Sequence, residues 1–202
     1  MNTIYKLTSP TMTTRNNTQW VLGEWHETSG EGGICGNGWL HTFTDPLLAV
    51  FLAPIYFDEP GMRLFRGEGE GAYIDDDGLK VGYSRIRIVE EIPLPTVDPA
   101  QRIAFGILCA KTVCTDTKWN KWADAWLSGS DRSTAAANAA WAAYSTWTAY
   151  AAYAAYAAWA AAWAARAAAY SAAYSAEAAE AAAWAKVELD LIAIAKQAMT
   201  YK

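Results

Sequence analysis

The sequence predicts an α+β fold: a small, mostly antiparallel α+β domain over residues 1–115, followed by a long alanine-rich α-helical region over residues 116–202. Two observations predict this division. All 7 Pro and nearly all of the 14 Gly fall in the first region, where short apolar stretches alternate with turn residues. The last third is dominated by alanine, the strongest helix former, and contains neither Gly nor Pro from residue 133 onward.

Alternating apolar residues between turn signals predict five strands in the first region. We expect these strands at residues 3–7, 20–25, 39–43, 62–68 and 83–92. The Gly/Glu run after residue 68 is expected to form a loop. If the strand continued through this run instead, Glu68 and Glu70 would project from the same face of the sheet.

Three shorter helices are expected before the alanine-rich tail. Thr44-Asp45-Pro46 supplies a capping residue and a proline at the first turn, which predicts a helix over residues 47–52. Residues 101–114 form a buried apolar segment that favours a helix. A third helix carries three tryptophans on one face and ends at Ser128-Gly129-Ser130; the tryptophans are Trp119, Trp122 and Trp126.

The last helix is expected to run unbroken from about residue 133 to residue 199, roughly 100 Å in length. Aromatic rings recur along its first half at every third residue: Trp141, Tyr144, Trp147, Tyr150, Tyr153, Tyr156 and Trp159. Because a three-residue step falls about 60° short of a full turn, these rings wind around the whole circumference. A helix that is apolar all round must be covered. The cover can come from the N-terminal domain, from the returning chain, or from further copies of the protein, so the helix can be straight or folded back.

The charge of the chain argues against several classes of partner. The formal net charge is −5 and the pI is about 5.0, and no cluster of Lys and Arg provides the basic stripe that a nucleic-acid or anionic membrane surface requires. Insertion into a membrane is not expected either, because the rings spread along the uncharged residues 135–165 rather than banding at their ends. The N-terminal residues show no secretory signal.

The cysteines indicate a reducing compartment. Cys35, Cys109 and Cys114 are odd in number and loosely spaced, which is typical of reduced thiols in a cytosolic protein rather than of a disulfide framework. Combined with His26 and His41, they lack the short spacers of a zinc site. We therefore assign no metal and no cofactor.

The first region holds the candidate functional residues. His41 could act as a general base with Glu68 or Glu70, or donate a hydrogen bond to a ligand. Trp25 and Trp39 could stack on a planar ring such as a nucleobase. Structural roles stay open for all of them: a histidine satisfied at a strand end, a solvated Gly/Glu hairpin, and tryptophans of the core.

Four stretches carry a resemblance to a known family: Trp39-Leu40-His41, Asp45-Pro46, the strand LFRGEGEG, and the tail of Ala-Ala-aromatic triplets from Trp141. In this order they resemble a family of uncharacterised bacteriophage proteins. The resemblance spans most of the chain. It implies a short N-terminal domain joined to a helical tail, in a protein of phage type.

A second set of features occurs in a fixed order along the chain: a strand that carries a Tyr, a step from strand to helix, and a later strand that carries a Glu. The matching positions are Tyr5, His41, Asp45, and Glu68 or Glu70. This order is distantly similar to ADP-ribosyltransferase-like folds. The resemblance implies a catalytic glutamate at one of the last two positions and a pocket suited to an ADP-ribose-like ligand. Lys6 stands where those folds place a His or Arg that contacts NAD.

The functional hypothesis is therefore a phage-type accessory protein that sequesters a small nucleotide-like ligand, with a host immune second messenger of the ADP-ribose class as a candidate. We assign no catalytic residue, and the proposed ligand-binding residues are Trp25, Trp39, His41, Arg66, Glu68 and Glu70. Copies of the protein would be held together through their helices. The expected location is the cytoplasm of an infected bacterium, or the virion. Two alternatives are a structural or assembly protein of a virion or filament, and an ADP-ribosyltransferase-like enzyme.

Overall fold

The computed structural model describes residues 1–53, 60–142, 156–157, 160–161, 163–165, 171–185 and 189–202. The chain divides into two compact units, Met1–Thr96 and Val97–Lys202. The first unit contains an antiparallel sheet and a short helix, and the second is helical, so the expected α+β class is confirmed. The division falls before a helix at Pro99–Val113, whereas the sequence placed the boundary near residue 115; this helix belongs with the later ones because its buried face packs on them.

The first unit is built on strands of very unequal length. They are β1 (Asn2–Thr8), β2 (Thr13–Thr14), β3 (Thr18–Gln19), β4 (His26–Glu27), β5 (Leu40–Thr42), β6 (Arg63–Asp75) and β7 (Val81–Ile92). Five of them form an antiparallel sheet in the order β1-β6-β7-β4, with β5 also paired to β7. β2 and β3 pair separately as a small hairpin around a 3₁₀ turn at Arg15–Asn17.

The sheet curls so that its two ends meet. Tyr5 of β1 and Phe43, just after β5, exchange two backbone hydrogen bonds, each of 2.9 Å. Because β5 already pairs with β7, this bridge closes the path β1-β6-β7-β5 back onto β1. The enclosed core consists of Ile4, Trp20, Phe65, Val81, Tyr83, Ile86 and Ile88.

The expected strands at residues 3–7, 39–43, 62–68 and 83–92 correspond to β1, β5, β6 and β7. The expected strand at residues 20–25 is wrong. Trp20 is 1% exposed and fills the core, and the chain then turns at Gly23, which adopts a φ of 82°. The next paired residues are those of β4, beginning at His26.

The Gly/Glu run is strand rather than the expected loop, since β6 continues to Asp75. Its alternation has a physical cause. A Cβ at Gly69 would lie 2.6 Å from the Tyr83 ring, and one at Gly67 would lie 2.8 Å from Ile4 Cδ1, so only glycine fits on the inner face. The intervening Glu68 and Glu70 share the other face, as the alternative interpretation of this run required.

Helix α1 (Pro46–Leu52) covers part of the sheet. Asp45 caps it by accepting a hydrogen bond of 2.8 Å from the Leu47 backbone N–H, as the sequence predicted. Ala49 of this helix packs with Leu7 and Leu64 in a second buried cluster.

The second unit consists of helices α2 (Pro99–Val113), α3 (Thr117–Ser128), α4 (Thr134–Ala142), α5 (Ser171–Trp184) and α6 (Leu191–Ala198). Short helical pieces also lie at residues 156–157, 160–161 and 163–165. Aspartates cap three of the helices by accepting hydrogen bonds from backbone N–H groups; they are Asp98, Asp116 and Asp190. Gly129 ends α3 in the left-handed conformation, at the stop expected from the sequence. No helix in the described part of the chain is long and apolar enough to cross a membrane.

The single unbroken helix expected over residues 133–199 is wrong. Helix α5 ends at Trp184, and α6 starts anew at Leu191 because Asp190 caps it through a 2.9 Å bond from the Ala193 N–H. Tyr156 Oη also donates to Glu177 Oε2 at 2.6 Å. A straight helix would place these two residues about 31 Å apart.

The described helical segments therefore lie side by side rather than in line, and part of the cover that the rings need comes from the same chain. The ring centroids of Trp163 and Tyr174 are 5.5 Å apart. Of the seven rings at three-residue spacing, only Tyr156 is among the side chains that the structure describes; the other six lie outside them.

Helices α2 and α5 approach each other closely. A Cβ at Gly106 would lie 2.9 Å from the Cα of Ser175, so the crossing depends on the absence of a side chain at this position. Cys109, on the same helix as Gly106, is fully buried. The Gln101 Nε2 group donates to the Met199 carbonyl at 3.1 Å, which ties α2 to the residue that follows α6.

Candidate functional site

Two adjoining recesses lie in the first unit, with volumes of about 160 and 260 Å³. They share five lining residues: Lys6, Thr14, Arg15, Cys35 and His41. The smaller recess is completed by Leu7, Phe43, Ala53 and Lys80, and the larger by Thr18, Trp20, Thr28, Gly36, Asn37, Trp39 and Leu40. Because about 10–15 Å³ of such volume holds one water, each recess admits a small organic ligand.

Lys6 is the central basic group of this site. It projects from β1, and its Nζ donates to the His41 backbone carbonyl at 2.6 Å and lies 5.0 Å from the centroid of the Trp20 ring. Among the described residues, no carboxylate forms an ion pair with it. Burial lowers the pKa of Lys6 from 10.5 to about 8, because the charged form is poorly solvated.

A hydrogen bond from its imidazole ring to the backbone fixes the position of His41. Its Nε2 is hydrogen-bonded to the Ile34 carbonyl oxygen, which requires the proton to reside on that nitrogen. Burial lowers the pKa of His41, and the charges of Lys6 and Lys80 lower it further, against the raising effects of the Ile34 hydrogen bond and of Asp76. His41 is therefore a neutral hydrogen-bonding group at pH 7.

Two further cations contribute to the recesses. Lys80 is 6% exposed and forms an ion pair of 2.5 Å with Asp76, so its position is fixed. Arg15 lies at the exposed 3₁₀ turn and contributes its guanidinium group. No Asp or Glu is found among the described residues that line either recess. Asp76 balances the charge of Lys80, so the field that favours an anion comes from Lys6 and Arg15.

Two tryptophans line the larger recess beside these charges, and both are largely buried: Trp20 is 1% exposed and Trp39 is 9% exposed. Trp20 Nε1 donates to Thr14 Oγ1 at 2.9 Å, and Trp39 Nε1 donates to the Gly32 carbonyl at 2.9 Å. Both indole N–H groups are thus satisfied within the protein, and Trp39 offers the larger accessible apolar surface. Thr18 and Thr28 line the same recess, and their hydroxyl groups donate to the Arg15 and Gly38 carbonyls.

His26 adds a second neutral imidazole near Lys6. Its ring lies 4.2 Å from the Trp20 ring, centroid to centroid, and its buried Nε2 has no hydrogen-bond partner among the described residues. Burial lowers the pKa of His26, Glu24 opposes this, and the Lys6 charge adds to the lowering. Both histidines of the chain are thus kept uncharged around one lysine.

The structure separates the six residues that the sequence grouped into one site. Trp39 and His41 line the recess. Glu68 and Glu70 do not line the recess. They form ion pairs with Arg87 and Arg85, and these two arginines lie over the Trp25 ring.

That second group is an ion-pair ladder on the face of β6 and β7. The guanidinium groups of Arg85 and Arg87 lie 4.3 and 4.7 Å from the Trp25 ring centroid. Arg85 also pairs with Glu70, and Arg87 Nη2 pairs with Glu68 Oε2 at 2.6 Å. Every charge in this ladder is balanced by a neighbour, which leaves little net attraction for a charged ligand.

Arg66 lies apart from both groups. Its Nε pairs with Glu90 Oε1 at 2.7 Å, across β6 and β7, on an exposed part of the sheet. This hydrogen bond and the Glu90 charge raise the pKa of Arg66, and the same bond with the Arg66 charge lowers the pKa of Glu90.

Three basic residues of the recess were absent from the sequence-based site: Lys6, Arg15 and Lys80. One signal was available for Lys6, which shares a strand face with Ile4 and Thr8, so that a charged residue stands in an otherwise core-facing row. No local pattern distinguishes Arg15 or Lys80, because the fold alone brings them together.

Neither recess has the chemistry of a metal centre. In the described ranges, no group of three or more His, Cys, Asp or Glu side chains could hold a metal ion. Cys35 is exposed, and Cys109 and Cys114 are buried in the other unit.

Both recesses lie in the part of the chain that matches a known family model. Residues 2–99 match the family model described as Domain of unknown function (DUF7666). No curated protein and no solved structure matches the chain significantly. The matched segment includes every residue that lines the two recesses.

Proposed function

We propose that the first unit binds a small nucleotide-like anion in the paired recesses and holds it without turning it over. The observation that carries this proposal is that Lys6, Arg15, Lys80 and Trp39 line two adjoining recesses that share Lys6 and His41, with no carboxylate among the described residues that line them. Basic groups suit phosphate oxygens, and the accessible part of the Trp39 indole suits contact with a nucleobase. Threonine hydroxyl oxygens can accept hydrogen bonds from the hydroxyl groups of a sugar.

The biological setting we propose is the one that the sequence suggests: a phage-type accessory protein that removes a host signalling nucleotide of the ADP-ribose class. Sequestration needs burial, stacking and a few fixed polar anchors, and the recess offers each of these. We also propose that the helical unit holds several copies together. Light scattering of the full chain tests this last point, and a strictly monomeric mass would contradict it.

The enzymatic alternative is not favoured by the geometry. Glu68 and Glu70, the positions implied as catalytic, are each paired with an arginine and do not line the recess. The filament alternative uses the helix as a stalk or as a strand of a bundle. The described segments around Tyr156 and Glu177 pack side by side, which does not fit an extended stalk.

Calorimetry on the full chain at pH 7 tests the proposal. The ligands are ADP, ADP-ribose, cyclic ADP-ribose isomers and cyclic dinucleotides. We expect at least one to bind, and we expect Lys6→Met to weaken this binding by about 10-fold or more, since a charged contact contributes roughly 1.5–3 kcal/mol.

The matched control is Arg66→Met, which removes a cation of the same unit that lies outside the recess. This variant should retain wild-type affinity. Absence of heat with every ligand would overturn the proposal, and an equal loss in both variants would show that the anion is not bound in the recess.

A further inference from the structure

The amine of Lys6 has an environment that differs from that of an ordinary ligand-binding lysine. Ion-pair partners fix most buried lysines, and Lys80 follows this rule with Asp76. Lys6 instead has only a backbone carbonyl as a hydrogen-bond acceptor and an indole ring beside it, and no carboxylate pairs with it in the described part of the chain. It also lines both recesses.

We propose that Lys6 forms an imine with an aldehyde group of the ligand, so that the bound anion is an aldose phosphate or the open-chain reducing ribose of an ADP-ribose-like molecule. This inference rests on the proposed function and names the ligand class of the same site. A lysine becomes a nucleophile when it is desolvated or lies next to another cation. Lys6 meets the first condition through the burial of its amine, and it lines the smaller recess together with Lys80 and Arg15.

The chemistry requires no co-reactant. The neutral Nζ attacks the aldehyde carbon and forms the C–N bond, the carbonyl oxygen takes up the two amine protons, and it leaves as water. The charged or titratable groups around the amine are His41 of β5, His26 of β4, Lys80 with its partner Asp76, Arg15 of the 3₁₀ turn, and the Cys35 thiol.

The lowered pKa of Lys6, about 8, agrees with this role because it leaves a substantial fraction of neutral amine at pH 7.5. A covalent anchor would also serve sequestration. It slows release of the ligand without any turnover.

The experiment traps the imine on the full chain at pH 7.5. The probe is pyridoxal 5′-phosphate, which combines an aldehyde, a planar ring and a phosphate, with cyanoborohydride as the reductant; modification at each lysine is then quantified by peptide mass spectrometry. We expect Lys6 to be modified at least about 10-fold faster than any other lysine. Pyridoxal without the phosphate should show a much smaller preference, because the cations of the recess no longer guide it.

Two variants sharpen the result. Lys6→Arg cannot form an imine, so the preferred adduct should be lost. Lys118→Arg, at an exposed position of α3 outside both recesses, leaves the Lys6 amine in place, so the adduct at Lys6 should persist.

Two outcomes separate this inference from the proposed function. Labelling that follows only the exposure of each lysine, while ADP still binds, would overturn the imine and leave ligand binding intact. Preferred labelling of Lys6 without any binding of ADP would support the reactive amine and overturn the nucleotide-like ligand. The distribution of label in the wild-type chain decides the point even if a variant fails to fold.

Discussion

The Nζ of Lys6 donates to the backbone carbonyl of His41 across 35 residues of sequence, at a distance of 2.6 Å. The bond is possible because Tyr5 and Phe43 join β1 to the end of β5, which brings the two residues to one side of the closed sheet. One cross-sheet bridge therefore positions the basic centre of the recess.

The cost of burying Lys6 should be visible in the pH dependence of stability. The pKa of the Lys6 amine is about 8 in the folded chain and 10.5 in the unfolded chain. Between these two pH values the unfolded state binds more protons than the folded state. The contribution of Lys6 to the free energy of unfolding therefore rises with pH. Lys6→Met removes this contribution. The variant should be more stable than wild type at pH 7 by roughly 1–3 kcal/mol, a difference that shrinks toward pH 10.

Urea unfolding of both proteins at several pH values from 7 to 10 measures this difference, since the other titrating groups are common to both. Two curves that stay parallel over the whole range would show that the Lys6 proton is bound equally well in both states.

The same proton should control anion affinity. An anion favours the ammonium form, so the wild-type affinity for ADP should fall as the pH rises above about 8, approaching 10-fold per pH unit. Lys6→Arg should show a flatter profile because the guanidinium stays charged. Calorimetry at pH 7, 8, 9 and 10 measures both profiles, and a wild-type affinity that is constant to pH 10 would exclude Lys6 from the contact.

The inner face of β6 should not accept a side chain at Gly69. A Cβ there would lie 2.6 Å from the Tyr83 ring, so Gly69→Ala should destabilise the chain by roughly 1–3 kcal/mol. Gly33→Ala is the matched control, because nothing lies within 4 Å of a Cβ at that position and the change in chain entropy is the same. Thermal unfolding compares the two variants. Equal melting temperatures would contradict the close contact.

Much of the first unit follows from the sequence because its signals are local. Alternating apolar residues located four of the strands, and Asp45 with the proline after it located the start of α1. The strand predicted at residues 20–25 was wrong because Trp20 is a single buried residue of the core. Local sequence alone does not distinguish such a residue from the start of a strand. The glycines of β6 looked like a loop because the residue that excludes side chains there, Tyr83, lies on another strand.

The candidate site was less predictable, since it depends on contacts between distant residues. Trp39 and His41 were found because they lie on one short strand. Lys80 joins them only through the pairing of β5 with β7. In the helical unit the sequence has no Gly or Pro between α5 and α6, and the cap at Asp190, rather than a helix breaker, begins the new helix.

The crossing of α2 and α5 should be sensitive to one methyl group. Gly106→Ala gains up to about 1 kcal/mol of helix propensity, but its Cβ would lie 2.9 Å from the Ser175 Cα, which is backbone and cannot rotate away. We expect the clash to prevail and the net loss to be about 1 kcal/mol or more. Urea unfolding measures it. A stabilised variant would mean that propensity prevails and the helices are not in close contact.

The pairing of Tyr156 with Glu177 can be measured by a double-mutant cycle with Tyr156→Phe and Glu177→Gln. The hydroxyl donates to the carboxylate at 2.6 Å, and burial together with this bond raises the pKa of Tyr156. Hydrogen bonds to charged groups contribute about 1.5–3 kcal/mol, so a coupling energy of about 1 kcal/mol or more is expected. A straight helix would separate the two residues and give a coupling near zero.

The bridge between Tyr5 and Phe43 also bears on how this domain behaves at high concentration. A strand at an open sheet margin displays unpaired N–H and C=O groups, which invite a strand from a neighbouring molecule. At Tyr5 both groups are already taken by Phe43, each through a 2.9 Å bond. Edge-to-edge aggregation at this margin would first require the bridge between Tyr5 and Phe43 to open. The closed sheet therefore protects the domain from pairing with a strand of another molecule, and it does so at the same place where it shapes the recess.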